Sequence, residues 1–217
     1  MARTEHRADA TPFLPARKTL NTLREAAAGC RGCHLYGPAT QTVFGEGLKR
    51  SRVVMVGEVP GDREDRAGRP FVGPAGRELD KALERVGIDR GEVYITNVVK
   101  HFKFEERGKR RIHKTPTRLE VEACSPWLRA ELDVVAPDAL VILGATAARA
   151  LLGSAFKLTP ARGRPVDSAL APLVTATIHP AAILRAHDDS ARQAERQAFV
   201  RDLQLVADHM ARAGAAD

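Results

Sequence analysis

Four short apolar runs, separated by stretches of helix-forming sequence, constrain the fold of this chain more than any other feature. They lie at 52–56, 93–96, 139–143 and 173–178. Short runs rich in β-branched residues and bounded by turn-forming residues predict buried strands. Strands that alternate with helices predict a parallel sheet with helices on both faces. We therefore expect an α/β protein with a three-layer α/β/α architecture and a central four-stranded parallel sheet.

Helix signals fill the intervals between these runs. A helix is predicted at 17–28, and Pro74 suits the first turn of another. Thr117 is a candidate cap for a helix that extends to about Val134, with a break or bend near Pro126. A further helix is predicted to end at Leu152. The last helix is indicated by Phe199, Leu203, Val206 and Met210, which are spaced by four, three and four residues.

The chain is expected to form one domain, because 217 residues suit a single sizeable core. The predicted organisation is a flexible tail at 1–16, a domain at 17–212 and a flexible tail at 213–217. No apolar run approaches the length of a membrane span, and the polar N-terminus lacks the apolar core of a signal peptide. We therefore expect a cytoplasmic protein with no membrane partner.

Polar side chains follow three of the four predicted strands. Glu58 comes shortly after the first, Asn97 directly after the second and His179 directly after the fourth. In open parallel sheets, ligands bind at the carboxyl ends of the strands. The sequence therefore predicts that these three side chains share one site.

The positive charge of the chain is concentrated in one short segment. The net charge is +7, and the segment 100–118 contains eight lysines and arginines against Glu105 and Glu106. The eight are Lys100, Lys103, Arg107, Lys109, Arg110, Arg111, Lys114 and Arg118. Such clustering favours a polyanionic partner. The alternative is a solvated basic loop without a partner.

Three cysteines predict a metal site. An odd number of cysteines in a chain without a recognisable export signal argues against a disulfide framework. Cys30, Cys33 and Cys124 would need a histidine as fourth ligand, and both zinc and iron–sulfur clusters accept such a set. The candidate histidines are His34, His101 and His113. Unrelated buried thiols are the alternative.

The cysteine pair also matches two other patterns that the rest of the sequence disfavours. Cys30-Arg31-Gly32-Cys33-His34 fits the C-x-x-C-H pattern of c-type haem attachment, but such haems are attached outside the cytoplasm. A redox-active C-x-x-C pair of the thioredoxin kind would be expected after the first strand, whereas this pair precedes it.

Four motifs follow the cysteine pair in order. They are Gly57-Glu58-Val59-Pro60-Gly61, Arg69-Pro70-Phe71-Val72-Gly73-Pro74-Ala75-Gly76, Tyr94-Ile95-Thr96-Asn97-Val98-Val99-Lys100 and His179-Pro180-Ala181-Ala182. Each is weak evidence alone, but together they resemble the family 4 uracil-DNA glycosylases and their relative UdgX. The resemblance extends from about Cys30 to the last helix. It implies the fold of these enzymes and an activity that removes uracil from DNA.

The resemblance also implies a [4Fe–4S] cluster. Its ligands would be Cys30, Cys33, Cys124 and His101. The histidine stands where ordinary family 4 members have a cysteine, and UdgX is similar in this respect. The cluster is expected to order the loops that face DNA and to take no redox part in the chemistry.

A second feature resembles UdgX specifically. Lys109-Arg110-Arg111-Ile112-His113 matches the extra loop of UdgX, whose histidine becomes bonded to the sugar after uracil leaves. The resemblance implies this role for His113. The cationic side chains beside it in sequence are expected to disfavour the imidazolium and keep the ring nucleophilic. The alternative is a phosphate-contacting loop with an incidental histidine.

The resemblance suggests a role for each remaining site residue. Phe71 would stack on the flipped base, and the Asn97 amide would pair with its N3–H and O4. His179 would donate a hydrogen bond to O2, and Glu58 would stabilise the cationic sugar or orient the attacking group. The predicted substrate-binding set also contains Gly57, Val59 and Arg111. Val59 departs from the pattern, because UdgX usually has glutamine there.

The sequence as a whole predicts an enzyme that excises uracil from DNA, preferring single strands, and becomes linked to the sugar C1′ through His113. Such a protein would act once and hold free uracil in its pocket after cleavage. It is expected to be a monomer and to associate with the nucleoid when acting. The alternatives are a family 4 glycosylase that turns over, a non-catalytic DNA-binding module with a structural metal and, more remotely, a cytochrome.

Overall fold

Four parallel strands form the central sheet of the structure, a computed structural model that describes residues 8–214. The described residues form six strands in all, four in this sheet and two in a hairpin. They are β1 (Val53–Gly57), β2 (Val93–Asn97), β3 (Phe104–Arg107), β4 (Arg110–His113), β5 (Ala139–Leu143) and β6 (Leu173–Thr177). The parallel sheet has the order β2-β1-β5-β6, and β3 and β4 form a separate antiparallel hairpin. The four predicted sheet strands are confirmed, with ends that differ by at most one residue.

Helices cover both faces of the sheet, as predicted. They are α1 (Leu20–Ala28), α2 (Asp62–Ala67), α3 (Pro74–Val86), α4 (Arg118–Val135), α5 (Ala145–Leu152), α6 (Leu158–Ala161), α7 (Ala181–Leu184) and α8 (Asp189–Gly214). In the part of the chain that the structure describes, no helix is long and apolar enough to cross a membrane.

The sheet strands are buried on both faces, so their alternate residues contribute to two separate cores. Val54 and Val56 belong to the core on the side of α1 and α4, together with Trp127. Met55 and Val141 belong to the core on the side of α3 and α8. Burial on both faces explains why these strands have continuous apolar sequences rather than alternating ones.

Helix α4 continues through the proline where a break or bend was predicted. It runs from Arg118 to Val135 with Pro126 inside it, so the predicted break is wrong. Proline at this position cannot donate to the carbonyl of Glu122, four residues earlier. The hydroxyl of Ser125 donates to that carbonyl at 2.8 Å and so satisfies the acceptor. The predicted cap at Thr117 is confirmed, because its side chain accepts from the Glu120 N–H.

The N-terminal segment is ordered closer to the chain start than predicted. Ala10 is buried, and its N–H donates to the carbonyl of Ala123 in α4 at 2.9 Å. A short 3₁₀ turn follows at Thr11–Phe13. These residues lie within the tail predicted for 1–16, whose flexibility stays a prediction. Residues 1–7 and 215–217 of the two predicted tails lie outside the described residues, and 213–214 end helix α8.

Candidate active site

A cavity of about 520 Å³ lies at the carboxyl ends of β1 and β2, the edge where the sequence predicts a site. It is within the size range of small-molecule sites. Its lining includes Glu58, Val59, Phe71, Asn97, His113 and His179. The structure thus brings together residues from five separate segments of the sequence, and all six are predicted site residues.

Two glycines leave room for the backbone and the aromatic ring of Phe71, which lines this cavity. Phe71 has a left-handed backbone (φ 55°), an unusual conformation for a bulky residue. A Cβ at Gly76 would lie 1.7 Å from the Phe71 carbonyl oxygen, so only glycine fits there. A Cβ at Gly57 would lie 2.7 Å from Cζ of Phe71 and 2.4 Å from Oδ1 of Asn97. Gly57, which belongs to the predicted substrate-binding set, lets the ring and the amide lie close together.

The carboxylate of Glu58 has an atom that is free for a ligand. Its Oε1 is buried and has no hydrogen-bond partner within residues 8–214. Glu64 lines the same cavity, but its Oε1 accepts from the backbone N–H of Gly73 at 2.7 Å. A buried oxygen without a partner is energetically unfavourable, and such groups concentrate where a ligand binds. Glu58 is thus the carboxylate best placed to act on a bound molecule.

His179 is held as a neutral hydrogen-bond donor. Its Nδ1 accepts from the backbone N–H of Ala181 at 3.2 Å, so the proton of the neutral ring resides on Nε2. Burial, with smaller contributions from Arg185 and His113, lowers the pKa of His179 to about 4. The ring lies 5.7 Å from that of Phe71, centroid to centroid. Near neutral pH this residue can donate through Nε2 without carrying charge.

His113 stands at the edge of the same cavity, at the end of β4. Its ring centroid is 6.2 Å from that of Phe102. Burial is the largest cause that lowers the pKa of His113; Arg185 lowers it further, while Glu58 raises it. The direction of this shift favours the neutral form of the ring. Loss of water and Arg185 favour it, rather than the cationic neighbours in the hairpin.

The side chain of Arg111, a residue of β4, packs against α2 and is not part of the cavity lining. Its Nε donates to Asp62 at 2.6 Å, and its Nη1 donates to Asp65 at 2.6 Å. The guanidinium also lies over the rings of Phe102 and Phe104, at 5.3 and 5.0 Å. Two of its nitrogens thus donate to α2, while Nη2 is buried without a hydrogen-bond partner within residues 8–214. The role of Arg111 as a substrate contact stays a prediction. Arg111 fixes the hairpin, and with it the position of His113.

Comparison with known proteins agrees with this arrangement. The family described as the uracil DNA glycosylase superfamily matches residues 44–204 of the chain. The chain belongs to the uracil-DNA glycosylase superfamily. It is 38% identical to the type-4 uracil-DNA glycosylase of Thermotoga maritima over 175 residues, 80% of this chain and 88% of the relative.

Two relatives from one other organism match to different extents. The type-4 uracil-DNA glycosylase of Pyrobaculum aerophilum is 38% identical over 193 residues, which cover 86% of this chain and 92% of the relative. The type-5 uracil-DNA glycosylase of the same organism is 39% identical over 117 residues, 47% of this chain and 48% of the relative. The similarity to the type-4 enzyme therefore covers more of this chain than the similarity to the type-5 enzyme.

Apolar side chains at the rim of the glycosylase cavity were not among the predicted site residues. Ile112 and Leu184 line it and are 37% and 38% exposed. Arg185 is exposed beside them. Their position in the sequence gives a signal that could have identified them. Ile112 precedes the predicted nucleophile, and Leu184 and Arg185 closely follow the His179 motif.

The three cysteines lie near enough to one another to interact electrostatically. Cys30 contributes to raising the pKa of Cys33, although burial is the main cause, and burial chiefly raises the pKa of Cys124 to about 12. Three N–H groups point at two of the sulfurs. Trp127 Nε1 and the Gly32 amide donate to Cys30 at 3.2 and 3.5 Å, and the Lys100 amide donates to Cys124 at 3.3 Å.

Such N–H donors are typical around thiolate ligands of iron–sulfur clusters, so the cysteine set fits that group. The fourth predicted ligand is His101, for which the structure gives a different kind of contact. His101 is buried, and its Nε2 lies 2.9 Å from the hydroxyl of Thr42. Within residues 8–214, no three or more Cys, His, Asp and Glu side chains converge closely enough to hold a metal ion.

Loss of the Arg111 ion pairs should impair both stability and the placement of His113. Arg111→Met leaves the carboxylate of Asp65 buried without its cation, which we expect to lower the free energy of unfolding by roughly 3 kcal/mol. The matched control is Arg110→Met, which removes the same charge from an exposed neighbour. Denaturant unfolding of both variants would test this, and equal small losses would contradict the role assigned to Arg111.

Proposed function

We propose that this glycosylase excises uracil from DNA and then becomes covalently bonded, through His113, to C1′ of the sugar. Uracil excision is supported by the type-4 relatives, which match most of the chain. The observation that carries the covalent step is the position of His113. A predominantly neutral imidazole at the cavity edge, on a hairpin fixed by Arg111, is well placed to attack a sugar at the cavity mouth.

Recognition of uracil is assigned to the base of the cavity. Flipping the base out of the stack costs a few kcal/mol, which the cavity must offset. Phe71 would stack on the ring, and the Asn97 amide would accept from N3–H and donate to O4. Cytosine presents the opposite pattern at these atoms, so it would leave buried polar groups unpaired. Val59 is buried in the same lining and adds no hydrogen bond.

Bond cleavage separates charge, and each developing charge has a residue near it. As the C1′–N1 bond breaks, its electron pair leaves with uracil, and the sugar becomes cationic. Nε2–H of His179 would donate to uracil O2 and stabilise the anion. The unpartnered Oε1 of Glu58 would stabilise the cation. A lone pair of His113 then forms the new C1′–N bond, and the ring proton passes to the uracil anion or solvent.

The rim suits single-stranded DNA, which we propose as the preferred substrate. Ile112 and Leu184 could pack against bases that flank the flipped nucleotide, while Arg185 could contact phosphate. An unpaired base costs least to flip, which further favours single strands.

We also propose that the protein holds a [4Fe–4S] cluster on Cys30, Cys33, Cys124 and His101. When bound, the cluster would order the segments around these residues. Protein purified without oxygen is expected to contain about four iron and four sulfide per chain, and Cys124→Ala to lose most of both. Zinc in place of iron would contradict this assignment and favour a single structural metal.

The proposed function is tested with a denaturing gel of the protein and a labelled single strand that contains one uracil. A heat- and detergent-resistant shifted band, absent when thymine replaces uracil, is the expected result. The alternative is a type-4 glycosylase that turns over, which the names of the relatives and the apolar Val59 favour. In that case no band shifts, and the strand breaks under alkali at the abasic site.

A further inference from the structure

A buried ion pair lies directly behind the base of the cavity. Lys100 and Glu131 are each only 1% exposed, and the Lys100 ammonium donates to the Glu131 carboxylate. Its two other hydrogen bonds go to Oγ1 of Thr96 at 2.6 Å and to the backbone carbonyl of Asn97 at 2.7 Å. All three N–H groups of the ammonium are therefore used inside the protein.

The carboxylate is as fully engaged as the ammonium. Oε1 of Glu131 accepts from the hydroxyl of Tyr94 at 2.9 Å and from the amide of Gly45 at 3.0 Å. Burial, reinforced by the negative charge of Glu131, raises the pKa of Tyr94, so the phenol remains a donor. The network thus connects β2 and α4 with the loop before β1, in a region that excludes water.

Such a pair is a poor source of stability. Removing two charges from water costs several kcal/mol, and well-packed apolar residues of similar volume often serve stability as well or better. What the pair does add is geometric specificity, because a charge with three short hydrogen bonds has one favourable position. Of those three bonds, only the bond to Asn97 reaches a residue of the cavity lining.

We propose that Lys100 and Glu131 form a positioning pair that fixes Asn97 for the recognition of uracil. The inference rests on the proposed function, in which the Asn97 amide pairs with the base. Asn97 is the last residue of the edge strand β2, so the sheet constrains it on one side only. The ammonium holds its carbonyl from behind, and the amide is thereby kept beside Phe71 and Gly57.

The test is the double substitution Lys100→Met with Glu131→Gln. It removes both charges together, while the Gln oxygen can still accept from Tyr94 and Gly45. The melting temperature is expected to stay near that of the wild type. The inhibition constant of free uracil should rise roughly tenfold, because one positioning hydrogen bond is gone. The rate of uracil excision should fall by roughly the same factor. Affinity for a thymine-only single strand should not change.

The matched control is Glu78→Gln with Arg196→Met, an ion pair between α3 and α8 whose residues do not line the cavity. It should leave uracil inhibition unchanged. Unaltered inhibition by uracil in a folded Lys100→Met/Glu131→Gln variant would overturn the inference. If that variant does not fold, Lys100→Gln with Glu131→Gln replaces it, with the same expectation. Failure of the proposed function is distinguishable, because the wild type itself would then neither excise uracil nor be inhibited by it.

Discussion

The substitution His113→Ser is expected to abolish the heat-resistant protein–DNA adduct while leaving uracil excision in place. A serine hydroxyl is a far weaker nucleophile than a neutral imidazole and is too short to reach the same point. No hydrogen bond joins the His113 side chain to the other proposed site residues within residues 8–214, so we expect them to keep their positions in the variant. Water should then attack the cationic sugar, so the variant would turn over.

Two measurements on the same strand separate the outcomes for His113→Ser. The denaturing gel reports the adduct, and alkaline cleavage of the strand reports abasic sites in excess over protein. His187→Ser is the matched control, because His187 is 84% exposed and does not line the cavity. It should form the adduct like the wild type. An undiminished adduct in His113→Ser would mean that another residue is the nucleophile.

The parallel sheet could be predicted because its strands are buried on both faces. Val54 and Met55 lie on opposite faces of β1, and both contact an apolar core, so the run needs no alternation. The β3–β4 hairpin could not be predicted in the same way. Its strands are mostly exposed and carry many charges, and only the packing of Arg111 on α2 and on two phenylalanine rings gives them a fixed place.

The site residues at the strand ends could be predicted because parallel strands bring their carboxyl ends to one edge. Roles that depend on distant partners could not. Arg111 meets Asp62 and Asp65, which are 49 and 46 residues away in sequence, so it cannot be distinguished from Arg110 by sequence alone. Lys100 belongs to the basic segment 100–118 in the sequence. In the structure it is buried and paired with Glu131, 31 residues away.

The substitution Glu58→Gln is expected to reduce the rate of uracil excision by at least about 100-fold, because the proposed mechanism uses the negative charge of this side chain to stabilise the cationic sugar. Glutamine has the same shape, so the cavity should keep its form. The effect should be larger than at a carboxylate that already accepts hydrogen bonds from the protein. Oε1 of Glu58 has no such donor within residues 8–214. Single-turnover excision from the uracil strand measures the change directly.

Glu64→Gln separates this role from the general charge of the cavity. Glu64 lines the same cavity, but its oxygen is engaged by the Gly73 amide, and an amide oxygen of glutamine can accept that bond equally well. We expect Glu64→Gln to excise uracil within about threefold of the wild-type rate, a change below 1 kcal/mol. Equal losses in the two variants would show that the cavity acts through its summed negative charge. A large loss in Glu58→Gln alone would support the proposed assignment of the cation-stabilising group to a single oxygen, Oε1 of Glu58.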